Sequence, residues 1–258
     1  MREVKPVAFG YERPASVEEA VELLQAHEDA KVLAGGQSLV PMLNMRLARP
    51  AVLVDVNRLP LGEVVRENGS WRVGATVRQA DPRLAEIPLV AEALPYVGHF
   101  VTRNRGTVGG SIAHADAAAE LPLALTALGG SVVTSAGRTI PAEEFFVTHF
   151  TTALQPDELV VETIWPSVQP PARCAFEEFA LRRGDFALCM AAAVSGPGGL
   201  RVVLGSVVGR PTVVEVDRAA PGASAAAQIE AWDSLHASAA YQRQLVRVLV
   251  DRVVGRVS

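Results

Sequence analysis

Apolar and polar positions change period several times along this chain, and the changes outline an α+β order of elements. Val17, Ala20, Val21 and Leu24 recur at helical spacing behind the capping-box pair Ser16 and Glu19, which predicts a helix over 17–27. Residues 31–33 read as a short buried strand broken by Gly35-Gly36, and 52–56 as a second apolar strand. Segments 63–66 and 71–73 flank Asn68-Gly69, a strong hairpin signal. Thr76 is placed to cap a helix, a further helix is predicted over 87–97, and another over 121–128. Segments 132–134 and 158–165 read as strands. Between 100 and 115 neither period holds, so that stretch is expected to be a loop.

Segment 166–171 (PSVQPP) is the best domain boundary, because its prolines can continue neither a helix nor a central strand. Three strand-like runs follow, at 175–181, 187–194 and 201–208. A small-residue linker over 219–227 leads to a closing helix over 237–254, with Leu245, Val248, Leu249 and Arg252 spaced at three and four. The expected organisation is two blocks, 1–168 and 172–258.

Composition narrows the class. With 258 residues, 49% hydrophobic and 20% charged, the chain has ample material for one large or two modest cores and is not disordered. The formal net charge of −4 lacks the basic surplus of a nucleic-acid binder. No run reaches the ~20 apolar residues of a membrane span. Segment 1–11 carries Arg2, Glu3 and Lys5 and no apolar stretch, so it does not read as a secretory signal, and the expected compartment is the cytoplasm. Asn68-Gly69-Ser70 is a glycosylation sequon, but in that setting the turn reading prevails. Cys174 and Cys189 are too few for a disulfide framework or an iron–sulfur cluster, so any metal redox centre is expected on another chain.

Two glycine stretches could carry chemistry. One is Ala34-Gly35-Gly36-Gln37-Ser38, and the other is Gly106-Thr107-Val108-Gly109-Gly110-Ser111. Neither has the spacing of a P-loop or of the Rossmann fingerprint. Paired glycines tolerate positive φ and let backbone N–H groups meet an anion, while Ser38, Thr107 and Ser111 add hydroxyls. Two such stretches could clamp the phosphates of a dinucleotide, or each could be a plain turn. His114, Asp116 and Glu120 admit a metal reading. They also admit a capping one, with Asp116 or Ala117 at a helix N-cap and Glu120 in the first turn. Cys189 lies in an apolar run and reads as a core thiol.

In order, these residues resemble a known family. Val32-Leu33-Ala34-Gly35-Gly36-Gln37-Ser38-Leu39-Val40-Pro41 is followed by Leu53-Val54-Asp55-Val56-Asn57. Then come Arg103-Asn104-Arg105-Gly106-Thr107-Val108-Gly109-Gly110-Ser111-Ile112-Ala113-His114-Ala115-Asp116, Ala119-Glu120-Leu121-Pro122 and Arg183-Gly184-Asp185-Phe186-Ala187. The pattern is similar to the FAD-binding medium subunit of molybdenum hydroxylases, the carbon monoxide dehydrogenase and xanthine dehydrogenase superfamily.

The resemblance implies an FAD-binding fold of the vanillyl-alcohol-oxidase (PCMH) type over 1–168. Its two subdomains would cover about 1–57 and 58–168, and a small C-terminal α+β domain with a three-stranded sheet would cover 172–258. It implies non-covalent FAD held by Leu33, Ala34, Gly35, Gly36, Gln37, Ser38 and Leu39 and by Thr107, Val108, Gly109, Gly110 and Ser111. Ala115, Asp116 and Glu120 would lie beside the cofactor, Val160 at the flavin ring, and Phe186 over one flavin face. No side chain would act as nucleophile or general base. Electrons would arrive from [2Fe-2S] clusters of a small subunit, fed by a molybdopterin large subunit, in a dimer of heterotrimers, and leave to an external acceptor. Two positions depart from the family pattern: Ala117 stands where proline often follows, and Glu178 where some members carry a lysine near the flavin. A stand-alone FAD oxidoreductase of the same fold and a flavin-free assembly module are the rival readings.

Overall fold

A computed structural model describes residues 5–258. Residues 1–4, part of the segment read above for a secretory signal, lie outside them.

The chain opens with a three-stranded parallel sheet in which Val52–Asp55 lies between Gly10–Glu12 and Ala30–Leu33. The connecting helix Val17–Ala26 starts as expected: Ser16 Oγ accepts from the Glu19 amide at 3.1 Å, and Glu19 Oε2 accepts from the Ala15 amide at 2.6 Å. Ala20 and Leu24 bury its inner face against Val52 and Val54. Ala30–Leu33 is less buried than its sequence suggests. It is an edge strand, so Lys31 and Val32 face solvent.

A five-stranded antiparallel sheet follows, ordered Val64–Glu67, Ser70–Gly74, Val160–Pro166, Ser131–Thr134 and Thr139–Pro141. Its first hairpin turns at Asn68 and Gly69, both with positive φ (49° and 75°), as a primed turn requires. Thr76 caps no helix: its amide bonds the Leu61 carbonyl, and Asp81 caps the short 3₁₀ turn Pro82–Glu86 instead. The helix expected over 87–97 is only Pro88–Ala93: Leu94 still has helical angles and donates to the Val90 carbonyl, but Pro95 has no amide to continue the ladder. The stretch expected as a loop holds two short helices, Phe100–Arg105 and Val108–His114. The first buries none of its six residues and the second only Val108, Gly109 and Ile112, too few to show an apolar period.

The C-terminal sheet has four strands, not three: Arg173–Phe179, Cys189–Gly196, Gly199–Gly205 and Thr212–Val214, all antiparallel. The fourth is a three-residue strand directly after Pro211, too short to show a period. Alternate residues serve opposite faces, as the pleat demands. Ala175, Ala191, Ala193, Val202 and Leu204 pack under the closing helix Ala239–Val257, while Phe176, Met190, Ala192 and Val203 join the core of the preceding layer. The linker expected over 219–227 contains the helix Pro221–Ala226. It lies so close to the closing helix that a Cβ on Gly222 would strike the Arg247 carbonyl, and the Gly222 amide bonds Asp251 Oδ1 at 2.7 Å.

Between the two layers runs Glu120–Ala127, a helix whose eight residues are all buried. It is apolar around its circumference, as a helix covered on both sides must be. Leu125→Ala should therefore cost about 2–5 kcal/mol, read as a lower midpoint in urea unfolding, since the side chain is fully buried beside Gly130 and little can collapse into the hole. A loss under about 1 kcal/mol would contradict this packing.

Candidate functional site

The first glycine stretch leaves the edge strand Ala30–Leu33 and enters the helix Leu39–Asn44. Gly36 sits at φ +71°, a left-handed conformation costly for other residues, and a Cβ there would press Val40 Cγ2 at 3.1 Å. The Gly36 carbonyl accepts from the Val40 amide, and the Gly35 carbonyl from the Gln37 side chain at 3.1 Å. The amides of Gly35, Gly36, Gln37, Ser38 and Leu39 donate to no protein acceptor, and the Ser38 hydroxyl makes no capping bond. A left-handed Gly36 beside consecutive free amides has the form of an anion nest.

The second stretch is not a nest. Its glycines open the helix Val108–His114, and their amides are spent. Val108 donates to the Val77 carbonyl at 2.9 Å and Gly109 to the Ala75 carbonyl at 3.0 Å. Gly110 donates to the N-cap Thr107 Oγ1 at 3.0 Å and Ser111 to the Thr107 carbonyl at 3.1 Å. Gly109 is required by packing, since a Cβ there would stand 2.5 Å from Ala75 Cβ. What this stretch has left to offer a ligand is the Thr107 amide, which donates to no protein acceptor, and the Thr107 and Ser111 hydroxyls. Thr107 Oγ1 accepts from Gly110, which leaves its proton free to donate outward.

The two stretches touch. A Cβ on Gly35 would run into the Arg105 carbonyl and stand 2.7 Å from Gly106 Cα. Ala34 Cβ lies 3.6 Å from where a Gly110 Cβ would be. Reasoning from sequence overlooked Asn57 and Arg78, which bond to both stretches. The available signal was a polar pair, Asp55 and Asn57, at the end of an otherwise apolar parallel strand.

Beyond the second stretch, Ala115 turns the chain at φ +50°, and its carbonyl accepts from the Phe150 amide at 2.9 Å. Asp116 Oδ1 accepts from the Ala118 amide at 2.9 Å and lies 3.3 Å from His149 Nε2. Asp116 thus closes a turn; the N-cap of the next helix is Ala119, not Asp116 or Ala117. His114 is half-buried against Phe150, and burial pushes its pKa down. Among the described residues no group of three candidate ligands could hold a metal ion.

Glu120 is only 8% exposed. Burial, and then the neighbouring Glu178, push its carboxyl up to about 8. Burial raises Glu178 to about 7, and its Oε2 is buried without a hydrogen-bond partner. Glu120 is therefore a carboxylic acid near neutral pH, not the anion expected at a helix N-terminus. Val160 begins its strand at a register shift, which leaves the Val161 carbonyl to accept from the Ala75 amide at 3.0 Å, and the helix Val108–His114 packs on this strand. Phe186 stands on a different element, the turn between Arg173–Phe179 and Cys189–Gly196, with its ring 74% exposed. Gly184 folds that turn onto Gly98 and His99.

Comparison with known proteins places this arrangement. The family model for the FAD binding domain in molybdopterin dehydrogenase matches residues 7–168. The chain is 36% identical to the 6-hydroxypseudooxynicotine dehydrogenase complex subunit alpha of Paenarthrobacter nicotinovorans, over 98% of this chain and 95% of that one. It superposes on a chain of carbon monoxide dehydrogenase from Hydrogenophaga pseudoflava with a TM-score of 0.92 at 32% identity, covering 98% of each chain. Quinoline 2-oxidoreductase from Pseudomonas putida 86 gives a TM-score of 0.89 at 36% identity, again over 98% of each. The chain belongs to the family of FAD-binding domains of molybdopterin dehydrogenases, components of molybdenum-containing oxidoreductases. Among the described residues no helix is long and apolar enough to cross a membrane.

The buried acid pair makes a testable demand. Folding raises both carboxyls above their ordinary 4.5, so the native chain keeps protons that the unfolded chain releases. Stability is full below about pH 4.5 and falls as pH rises through about 7 to 8. Thermal melts of the flavin-free chain should show that fall, and Glu120→Gln should flatten much of it. An unchanged slope in the variant would sink the assignment.

Proposed function

We propose that this chain is the FAD-carrying electron-transfer subunit of a molybdenum hydroxylase complex. The observation that carries the reading is the set of unspent amides at Gly35, Gly36, Gln37, Ser38 and Leu39, on a loop closed against Arg105 and Gly106. Free amides at a left-handed glycine, with the Ser38 hydroxyl on the same loop and the Thr107 and Ser111 hydroxyls on the stretch that loop touches, are the donor set a diphosphate needs. The residues present fit FAD. The Leu33–Leu39 stretch would hold the pyrophosphate from one side, and Thr107 and Ser111 from the other. Ala115, Asp116 and Glu120 would line the next part of the cofactor, with the Val160 backbone at the ring and the exposed Phe186 covering one flavin face.

The fold reading that goes with this is the vanillyl-alcohol-oxidase (PCMH) type over 1–168, in subdomains of about 1–57 and 58–168, followed by a small domain over 172–258. FAD held by these residues would supply redox chemistry between [2Fe-2S] clusters of a small subunit and an external acceptor. This chain's residues bind and orient it, and none need act as nucleophile or base. Substrate would be oxidised at a molybdopterin large subunit, in a dimer of heterotrimers in the cytoplasm.

Acid precipitation of the purified complex should release about one FAD per copy of this chain, with no flavin left covalently attached. Gly36→Val should abolish that content while the partners' metal centres stay loaded, because the added side chain strains a left-handed backbone and fills the concavity. Thr107→Ala should be milder, about 1–2 kcal/mol, the hydroxyl being both donor and helix cap. A well-folded complex with no flavin would overturn the proposal.

A further inference from the structure

Between the two stretches lies a chain of side-chain hydrogen bonds that the binding groups do not account for. Asn57 follows the central strand of the parallel sheet. Its side-chain amide donates to the Ala34 carbonyl at 2.8 Å, more weakly to the Leu33 carbonyl at 3.4 Å, and to Asp55 Oδ1 at 2.5 Å. Three oxygens surround that nitrogen, so its orientation is fixed and Asn57 Oδ1 must face the other way. There it accepts from Arg78 Nη2 at 2.7 Å. Arg78 Nη1 in turn donates to the Arg105 carbonyl at 2.5 Å. On the far side, the Tyr11 hydroxyl donates to Asp55 Oδ2, and the Asn57 backbone amide donates to Asp55 Oδ1 at 2.9 Å.

The chain thus runs from the peptide carbonyls before the first glycine stretch to the carbonyl before the second. Backbone bonds anchor its far end: Arg78 pairs with Thr107 in an isolated antiparallel bridge, flanked by Gln79 amide to Gly106 carbonyl at 2.9 Å and Val108 amide to Val77 carbonyl at 2.9 Å. At the near end, no backbone bond crosses from 34–39 to 103–111. The first stretch meets the second through the bare contact of Gly35 with Arg105 and Gly106, and through these side chains. The Arg78 guanidinium donates only to a peptide carbonyl and an amide, and pairs with no carboxylate within salt-bridge distance among the described residues.

We infer that Asp55, Asn57 and Arg78 are positioning residues that set the separation of the two stretches before any ligand arrives. They give a diphosphate a gap of fixed width. This inference rests on the reading of those stretches as a diphosphate site. A guanidinium fork spanning two acceptors fixes both distance and angle, which a flexible ammonium cannot do. The pre-set gap lowers the ordering cost that binding would otherwise carry.

The test is a double-mutant cycle on the full-length chain, read as FAD and ADP affinity by fluorescence titration, beside the melting temperature of the flavin-free chain. Asn57→Ala and Arg78→Ala should each weaken FAD about 10-fold or more, and ADP by the same factor, since ADP carries the diphosphate without the flavin. The double variant should be no worse than the worse single one, because either change opens the same chain. Arg78→Lys should bind FAD nearly as poorly as Arg78→Ala, and it carries the test should Arg78→Ala not fold. If these variants lower the melting temperature but leave both affinities unchanged, or if the two losses simply add, the positioning role is wrong. Gly36→Val separates the two claims. If it keeps FAD, the diphosphate site itself is misplaced; if it loses FAD while Arg78→Lys binds normally, the site stands and the positioning role falls.

Discussion

Everything around the candidate site depends on one main-chain contact. Gly35 lies against the carbonyl of Arg105 and the Cα of Gly106 with no space for a Cβ on it, and a Cβ on Gly106 would in turn displace the Gln79 side chain. Two segments far apart in sequence, one leaving a parallel sheet and the other leaving a short helix, can approach this closely only because Gly35 carries no side chain, while Gly106 leaves room for Gln79 behind the contact. Each glycine costs about 0.5–1 kcal/mol in chain entropy relative to alanine, and the contact buries no apolar side chain. The local balance is therefore unfavourable, and the rest of the molecule offsets it. The helix Glu120–Ala127, buried in all eight residues, and a C-terminal sheet covered on both faces supply the hydrophobic burial.

That division of labour explains the shape of the sequence. The stretches proposed to bind are built from glycine, small hydroxyl residues and alanine, and have little core of their own. The parts that stabilise are runs such as Leu121, Leu123 and Leu125, or Met190 to Val194, which alternate between two cores. The closing helix covers one face of the last sheet, and the preceding layer covers the other. The turn that carries Phe186 is thereby tied to the same body as the glycine stretches, although far from them in sequence.

Much of the fold was legible because ordinary signals act locally. Ser16 with Glu19, Asn68 with Gly69, and the apolar spacing around Leu245 each work within a few residues and appear where expected. The misses share a physical cause. Phe100–Arg105 and Val108–His114 hold small or exposed residues at their contacts, so a helical period has nothing to show. Pro221–Ala226 packs through Gly222 and alanines and reads as a linker for the same reason. At the site, the first glycine stretch was read correctly as having free amides. The second was not, because whether an amide is free depends on Val77 and Ala75, two partners that its own sequence does not reveal. The roles of Asn57 and Arg78 went unread for a related reason: the polar pair Asp55 and Asn57 marks the strand end, but a polar chain between segments has no periodic signature.

The electrostatics of the site follow from the same economy. In the proposed site, anion recognition would rest on neutral donors, the amides of 35–39 and the hydroxyls of Thr107 and Ser111, with Arg78 as a cation engaged only by neutral acceptors. An ionised carboxylate at Glu120 would oppose that arrangement, since its helix packs on Val108–His114, and an ionised Glu178 would add to the charge beside Glu120. Burial resolves the conflict. Desolvation is the first cause of both raised values, and their proximity adds to it at Glu120, so near neutral pH the pair retains protons. A protonated carboxyl offers an O–H where an ionised one offers only acceptors. The helix Glu120–Ala127 must be buried on every side to hold the two layers together, and that requirement also turns its first residue from a charge into a donor.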